Sequence, residues 1–233
     1  MPKLKHNRKH SSNADKLRKH RRAQAGNLRK ADEAPAERYN ETPLVYTTES
    51  IPRTIVDLAK QYFKSRVCEK NALGGEHVYL EHAITKRKNL EEFLVLLASL
   101  VRKTMNLPGS TPVSWVINRY QDGTTIISSW ILRYTGAGGE WHTDVFPGIA
   151  HVLRTWTVCV TLEGSESHFE ISNRSTQRAG MRIWQHNSPV VIFQNHLVHR
   201  GVTTHGGSRL VLAAEFRLDE AVQARIIQQH MGQ

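Results

Sequence analysis

His142, Asp144, His199 and Arg209 are the residues whose types and spacing point to chemistry. In an extended strand, residues i and i+2 share a face. His142 and Asp144 therefore project together, with Thr143 turned away. One histidine from a neighbouring strand completes two imidazoles and one carboxylate on one side of a metal ion. The other coordination positions stay open, an arrangement that suits non-haem Fe(II) and its chemistry with oxygen. His199 follows His142 by 57 positions, and Arg209 follows His199 by ten. A guanidinium is a fixed planar cation, a natural partner for the carboxylate of a co-substrate.

A lone His-x-Asp arises easily in a chain with 13 histidines, so its surroundings must decide. The pair follows the glycine-rich stretch Gly136–Gly139. His199 lies in the strand-like run Leu197–Val202, and Arg209 opens the apolar run Leu210–Ala214. His196 stands beside Asn195 in an expected turn, and His205 stands in the loop-like Thr204-His205-Gly206-Gly207; both are expected to face solvent. His168-Phe169-Glu170 is a second His–carboxylate pair, but no matching histidine follows it. Glu170 is expected to be a solvated strand residue.

The elements that must position these side chains are legible as periodicity. Ile51 to about Lys70 reads as a helix with Pro52 in its first turn and Ile55, Leu58, Ala59, Tyr62, Phe63 and Val67 at helical spacing. Asn89 to about Met105 reads as a second, with Leu90, Phe93, Leu94, Leu97, Leu100 and Val101 in one stripe. Its acidic residues come early and its basic residues late, which suits the helix dipole. From Val113 the period changes to short β-rich runs separated by Gly, Asn, Asp and Ser turns: 113–120, 125–134, 140–145, 152–162, 168–171, 181–184, 190–193, 197–203 and 209–217. A last helix is expected over Glu220–His230. The pattern predicts a mainly β fold, a sandwich or barrel buttressed by flanking helices. Trp130, Trp141 and Trp156 occupy alternating strand positions and are expected in the core rather than at a site mouth.

Charge divides the chain. Residues 1–30 hold eleven Lys or Arg against the single acid Asp15, while the other 203 residues hold 21 basic and 20 acidic groups. Residues 1–43 read as a basic disordered arm, 44–112 as a helical buttress, and 113–233 as the catalytic core with its C-terminal helix. The arm's run Lys16–Arg22 suits phosphate backbones or nuclear targeting. The two cysteines, Cys68 and Cys159, lie far apart, which argues against a disulfide framework and a thiolate zinc site. Cys159 sits in an apolar run and reads as a buried core thiol. No apolar stretch approaches the ~20 residues of a membrane span. The expected setting is intracellular, in the nucleus or cytoplasm.

The segment Ile131-Leu132-Arg133-Tyr134, seven residues and then His142-Thr143-Asp144 resembles the first metal strand of Fe(II)/2-oxoglutarate-dependent dioxygenases. It is most similar to the prolyl-4-hydroxylase-type group, which also has an Arg-Tyr pair, a glycine turn and then His-x-Asp. His199-Arg200-Gly201, with Arg209 at plus ten, is similar to that superfamily's second ligand segment and oxoglutarate anchor. The resemblance covers about residues 113–217. It implies a double-stranded β-helix (jelly-roll) core in which His142, Asp144 and His199 hold Fe(II) and Arg209 pairs with 2-oxoglutarate. It also implies O2 as co-substrate, ascorbate as reductant, and decarboxylation to succinate and CO2 coupled to oxidation of a substrate C–H bond. A serine found two residues after the arginine in part of the superfamily is replaced by Val211. Tyr134 supplies the hydroxyl instead or is simply a buried aromatic. Asn118-Arg119-Tyr120 imitates the opening of AlkB-type enzymes, but His142 lies too far downstream for that pattern.

Three substrate classes stay open at this level. A protein side chain fits the prolyl-hydroxylase-type likeness. A modified nucleic-acid base fits the basic arm, which would hold the phosphate backbone while the pocket takes a flipped base. A small molecule leaves the arm unexplained. From a different class, a non-catalytic β-barrel binding module with a basic tail is disfavoured by the intact ligand set.

Overall fold

A computed structural model describes residues 44–70, 75–119, 123–135, 140–144, 155–164, 166–173, 178–203 and 207–231. The basic arm 1–43, the glycine-rich stretch 136–139, Val145 and His205 lie outside the described residues. The elements run β1 (Val45–Thr48), α1 (Arg53–Lys64), β2 (Glu69–Lys70), β3 (Glu76–Tyr79), α2 (Leu80–Ala83), α3 (Arg87–Thr104), β4 (Val113–Trp115), β5 (Ile117–Arg119), β6 (Thr125–Ile127) and β7 (Ser129–Thr135). They continue as β8 (Thr155–Glu163), β9 (His168–Asn173), β10 (Arg178–Trp184), β11 (Val190–Gln194), β12 (His199–Val202), β13 (Ser208–Leu218) and α4 (Glu220–Met231).

The large sheet has the order β1-β11-β8-β13-β7-β3-β2, with β4 also pairing β13. A smaller sheet has the order β10-β9-β12, and β5 pairs β6 in a short ribbon. The described pairings are antiparallel. Alternation within β8 and β13 explains the layering. Trp156, Val158, Val160 and Leu162, with Leu210, Leu212, Ala214 and Phe216, join one core with Ile55 and Phe63 of α1 and Leu90, Phe93 and Leu97 of α3. The opposite face sends Cys159 of β8 and Val211 of β13 into a second core with Phe169 and Ile171 of the small sheet and Val191 and Phe193 of β11. The large sheet is thus buried on both sides, which is why its central strands read as nearly continuous apolar runs. Two facing antiparallel sheets with helices outside make the expected double-stranded β-helix core. Trp156 is fully buried and Cys159 is a buried free thiol, both as expected.

Residues 44–112 are less purely helical than their periodicity predicts. They also lend three strands to the large sheet, β1 against β11 and β3 between β7 and β2. α1 stops at Lys64 rather than near Lys70. Ser65 donates its hydroxyl to the Tyr62 carbonyl at 2.9 Å, and Glu69–Lys70 pairs with Glu76–His77 instead of extending the helix. Val67, expected on the apolar stripe, is 94 % exposed as a result. α3 matches its stripe: Leu90, Phe93, Leu94, Leu97, Leu100 and Val101 are all buried.

Phe93 is wholly buried and meets Tyr62 of α1 edge-on at 5.6 Å. Phe93→Ala is expected to cost about 3–5 kcal/mol of stability through lost transfer energy and the cavity left behind. Urea unfolding measures this. A negligible shift of the midpoint would mean that α3 does not seal the outer face of the large sheet.

Candidate metal centre and anion pocket

The backbone itself brings the two histidines together. His142 donates its N–H to the His199 carbonyl at 3.0 Å, and His199 donates back at 2.8 Å. This single antiparallel bridge lays residue 142 along the free edge of β12. Directly opposed residues in such a pair project to the same face, and the two rings stand 4.4 Å apart. Asp144, two residues on, swings to the same side. Its Oδ1 lies 3.8 Å from His142 Nε2 and 3.6 Å from His199 Nε2. One ligand atom from each of the three lies within 4.8 Å of the others.

Hydrogen bonds fix which ring nitrogens face inward. His142 Nδ1 lies 2.7 Å from the Glu140 carbonyl and His199 Nδ1 lies 2.9 Å from the Leu197 carbonyl. A carbonyl oxygen only accepts, so both Nδ1 atoms carry protons and both Nε2 atoms are left facing Asp144 Oδ1. Burial pushes the His199 pKa down to about 4, with His142 and Arg209 acting the same way and Asp144 opposing them. His199 is therefore neutral at physiological pH, the form that binds a metal. Two imidazoles with backbone acceptors at Nδ1, and a carboxylate, fit a divalent first-row metal such as Fe(II). Phe169 and Phe193 wall the His199 ring at 5.2 and 4.4 Å, whereas the His142 side chain is 37 % exposed, so the site opens on that side.

Arg209, on β13, lies in the same interior, its guanidinium against Gly201, which is two residues along β12 from His199. A Cβ on Gly201 would overlap its Nη1, so only glycine leaves room for the guanidinium there. Arg209 is 2 % exposed, and no carboxylate among the described residues pairs with it. Its Nε and Nη2 donate to Gln185 Oε1 at 3.1 and 2.8 Å, and Nη2 meets Cys159 Sγ at 3.8 Å. Thr161 donates its hydroxyl to the same Gln185 oxygen. Those donors fix the amide's orientation and leave the buried Gln185 Nε2 without a partner among the described residues. Tyr134 sits directly across from Arg209 in the β7–β13 register, on the same face. Burial pushes its pKa up to about 12 against the pull of Arg209, so the phenol keeps its proton. A buried cation without an anion is costly. This constellation can receive a carboxylate.

Other sequence candidates lie apart. Glu170 is buried rather than solvated. It accepts from His168 Nε2 at 2.9 Å, Arg182 Nη2 at 2.9 Å and Arg200 Nε at 2.7 Å. Burial alone would raise its carboxyl, but the bonds from Arg200, His168 and Arg182 outweigh that and hold it below the usual range. Strand alternation sends this cluster to the side of the small sheet away from His199, where Arg200 also stacks on Trp141 at 4.4 Å. His196 is half-buried in the turn after β11 rather than turned to solvent. Sequence reading missed Gln185, Thr157, Asn195 and Glu215. The last two had a faint signal, as polar residues ending or interrupting strongly apolar strands.

No family model matches the sequence, and no curated protein matches it. Solved structures do. HygX from Streptomyces hygroscopicus, with nickel and 2-oxoglutarate bound, is 12 % identical over 75 % of this chain and 82 % of its own, with a TM-score of 0.48. A Pseudomonas putida prolyl-4-hydroxylase is 14 % identical over 76 % and 93 %, with a TM-score of 0.47. SnoK, a non-haem alpha-ketoglutarate-dependent carbocyclase from nogalamycin biosynthesis, is 14 % identical over 81 % and 85 %, with a TM-score of 0.50. The likeness to SnoK is one of fold.

Proposed function

We propose that this chain is an Fe(II)- and 2-oxoglutarate-dependent dioxygenase that hydroxylates a C–H bond of its substrate. The observation that carries this reading is the pairing of two features in one interior. His142, Asp144 and His199 converge through atoms free to bind a metal, and a buried guanidinium with no counter-ion among the described residues lies against Gly201, two residues along β12 from His199. That offset is roughly 6–7 Å along a strand, a gap that a five-carbon dicarboxylate bridges. Fe(II), when bound, supplies the oxygen activation that couples decarboxylation of oxoglutarate to substrate oxidation.

The chain's own residues bind, orient and shield. His142, Asp144 and His199 hold the metal. Arg209 holds the distal carboxylate by charge-assisted hydrogen bonds, and Gln185 Nε2 and the Tyr134 hydroxyl are further donors for it. Phe169 and Phe193 keep water from the His199 side, and the open His142 side admits substrate. The Arg133-Tyr134 pair ahead of the His-x-Asp supports the prolyl-4-hydroxylase-type group, and with it a protein side chain as substrate.

Full-length protein given Fe(II), ascorbate, 2-oxoglutarate and O2 is expected to form succinate slowly without any substrate. Folded, iron-loaded protein that forms no succinate would overturn the enzymatic reading in favour of a binding module.

A further inference from the structure

Behind Asp144 runs a chain of buried polar side chains that metal binding alone does not need. Asp144 Oδ2 lies 3.0 Å from Thr157 Oγ1, and Thr157 Oγ1 lies 2.7 Å from Asn195 Oδ1, so two acceptors share one hydroxyl proton. Asn195 Nδ2 faces Glu215 Oε1 as a donor, and Ser128 donates its hydroxyl to Glu215 Oε2. Thr157, Asn195, Glu215 and Ser128 are all at most 3 % exposed. They come from β8, the end of β11, β13 and the residue between β6 and β7. Cross-strand register aligns Thr157 with Glu215, and the backbones of Ser128 and Glu215 are bonded directly.

Proton counting gives this chain a direction. As a metal ligand, Asp144 is an ionised carboxylate and only accepts. The single hydroxyl proton of Thr157 must therefore point at Asp144. Thr157 then needs a donor at its lone pair, so with metal on Asp144 the Asn195 amide turns over from the orientation above, its NH2 toward Thr157 and its carbonyl toward Glu215; amide orientation is fixed by the network it serves. Two acceptors now face each other unless Glu215 carries a proton. We infer that Glu215 is a neutral carboxylic acid that, through Asn195 and Thr157, directs a hydrogen bond onto the outer oxygen of Asp144 and so positions that ligand. The inference rests on the proposed role of Asp144 as a metal ligand.

The surroundings agree. Burial, and then the Asp144 charge, push the Glu215 pKa up to about 7, against the hydrogen bond from Ser128, the donor that Asn195 presents before its amide turns, and the charge of Arg217. Glu215 acts through two intermediaries and touches neither metal nor substrate, which makes it a positioning residue.

Two measurements on the full chain test this. Infrared difference spectra of wild type minus Glu215→Gln, with Mn(II) bound at neutral pH, are expected to show a protonated-carboxyl carbonyl band. Ionised-carboxylate bands in that difference would overturn the inference. Mn(II) titration is the second measurement. Thr157→Val is expected to weaken binding roughly 10- to 100-fold, the range for partners that orient metal ligands. Thr157→Ser is expected to restore it, and Glu215→Gln, which keeps a donor for Asn195, to stay near wild type. Equal affinity in Thr157→Val and wild type would remove the positioning role. Wild type that binds no Mn(II) would sink the reading of the metal site itself, a failure distinct from carboxylate bands in a metal-loaded protein.

Discussion

His199→Ala should abolish Fe(II) retention, with a loss larger than the roughly 10- to 100-fold seen when only a ligand's supporting partner is removed. The imidazole is neutral, its Nδ1 is tied to the Leu197 carbonyl, and its Nε2 has no role in the fold beyond facing Asp144. The variant keeps the backbone bridge to His142, since that bridge uses main-chain atoms only. Anaerobic titration with Fe(II), or with Mn(II) as a redox-inert probe, reads the effect. Circular dichroism confirms that the sheets persist. His196→Ala is the control and should bind metal as wild type does. Equal losses in the two variants would mean that the site has been assigned to the wrong histidine.

Arg209→Ala should leave metal binding intact and raise the 2-oxoglutarate requirement steeply. Removing one member of a buried, hydrogen-bonded charge pair costs about 2–5 kcal/mol, and the lower bound alone is roughly 30-fold in Kd. Arg209→Lys should recover only part of this, because an ammonium cannot reproduce the two-pronged guanidinium that Gly201 and Gln185 hold in place. Arg217→Ala and Arg200→Ala are controls. Arg217 is exposed on β13, and Arg200 is committed to Glu170 and Trp141 on the outer side of the small sheet. Isothermal titration of oxoglutarate into Mn(II)-loaded protein gives the constants without turnover. An unchanged constant for Arg209→Ala would move the anchor to another cation.

Much of this was legible before any fold was known. The β-rich runs over 152–162 and 209–217 report the central strands, and the α3 stripe reports the helix that covers one face of their sheet. His-x-Asp reports a shared face because i and i+2 share one in any strand. That logic is local, so a sequence carries it by itself. Partnerships between distant strands are different, because no rule of spacing joins Gln185 to Arg209, Asn195 to Thr157 or Glu215 to Ser128. Nor does any spacing rule bury Glu170 beneath two arginines. Likewise β1 to β3 gained their strand conformation from the open edges of a sheet formed largely by residues far downstream. The sequence alone determined the strand faces and the donor types of this protein. Only the tertiary structure decided register, and register sets which buried polar group meets which, because hydrogen bonds depend on distance in space rather than separation along the chain.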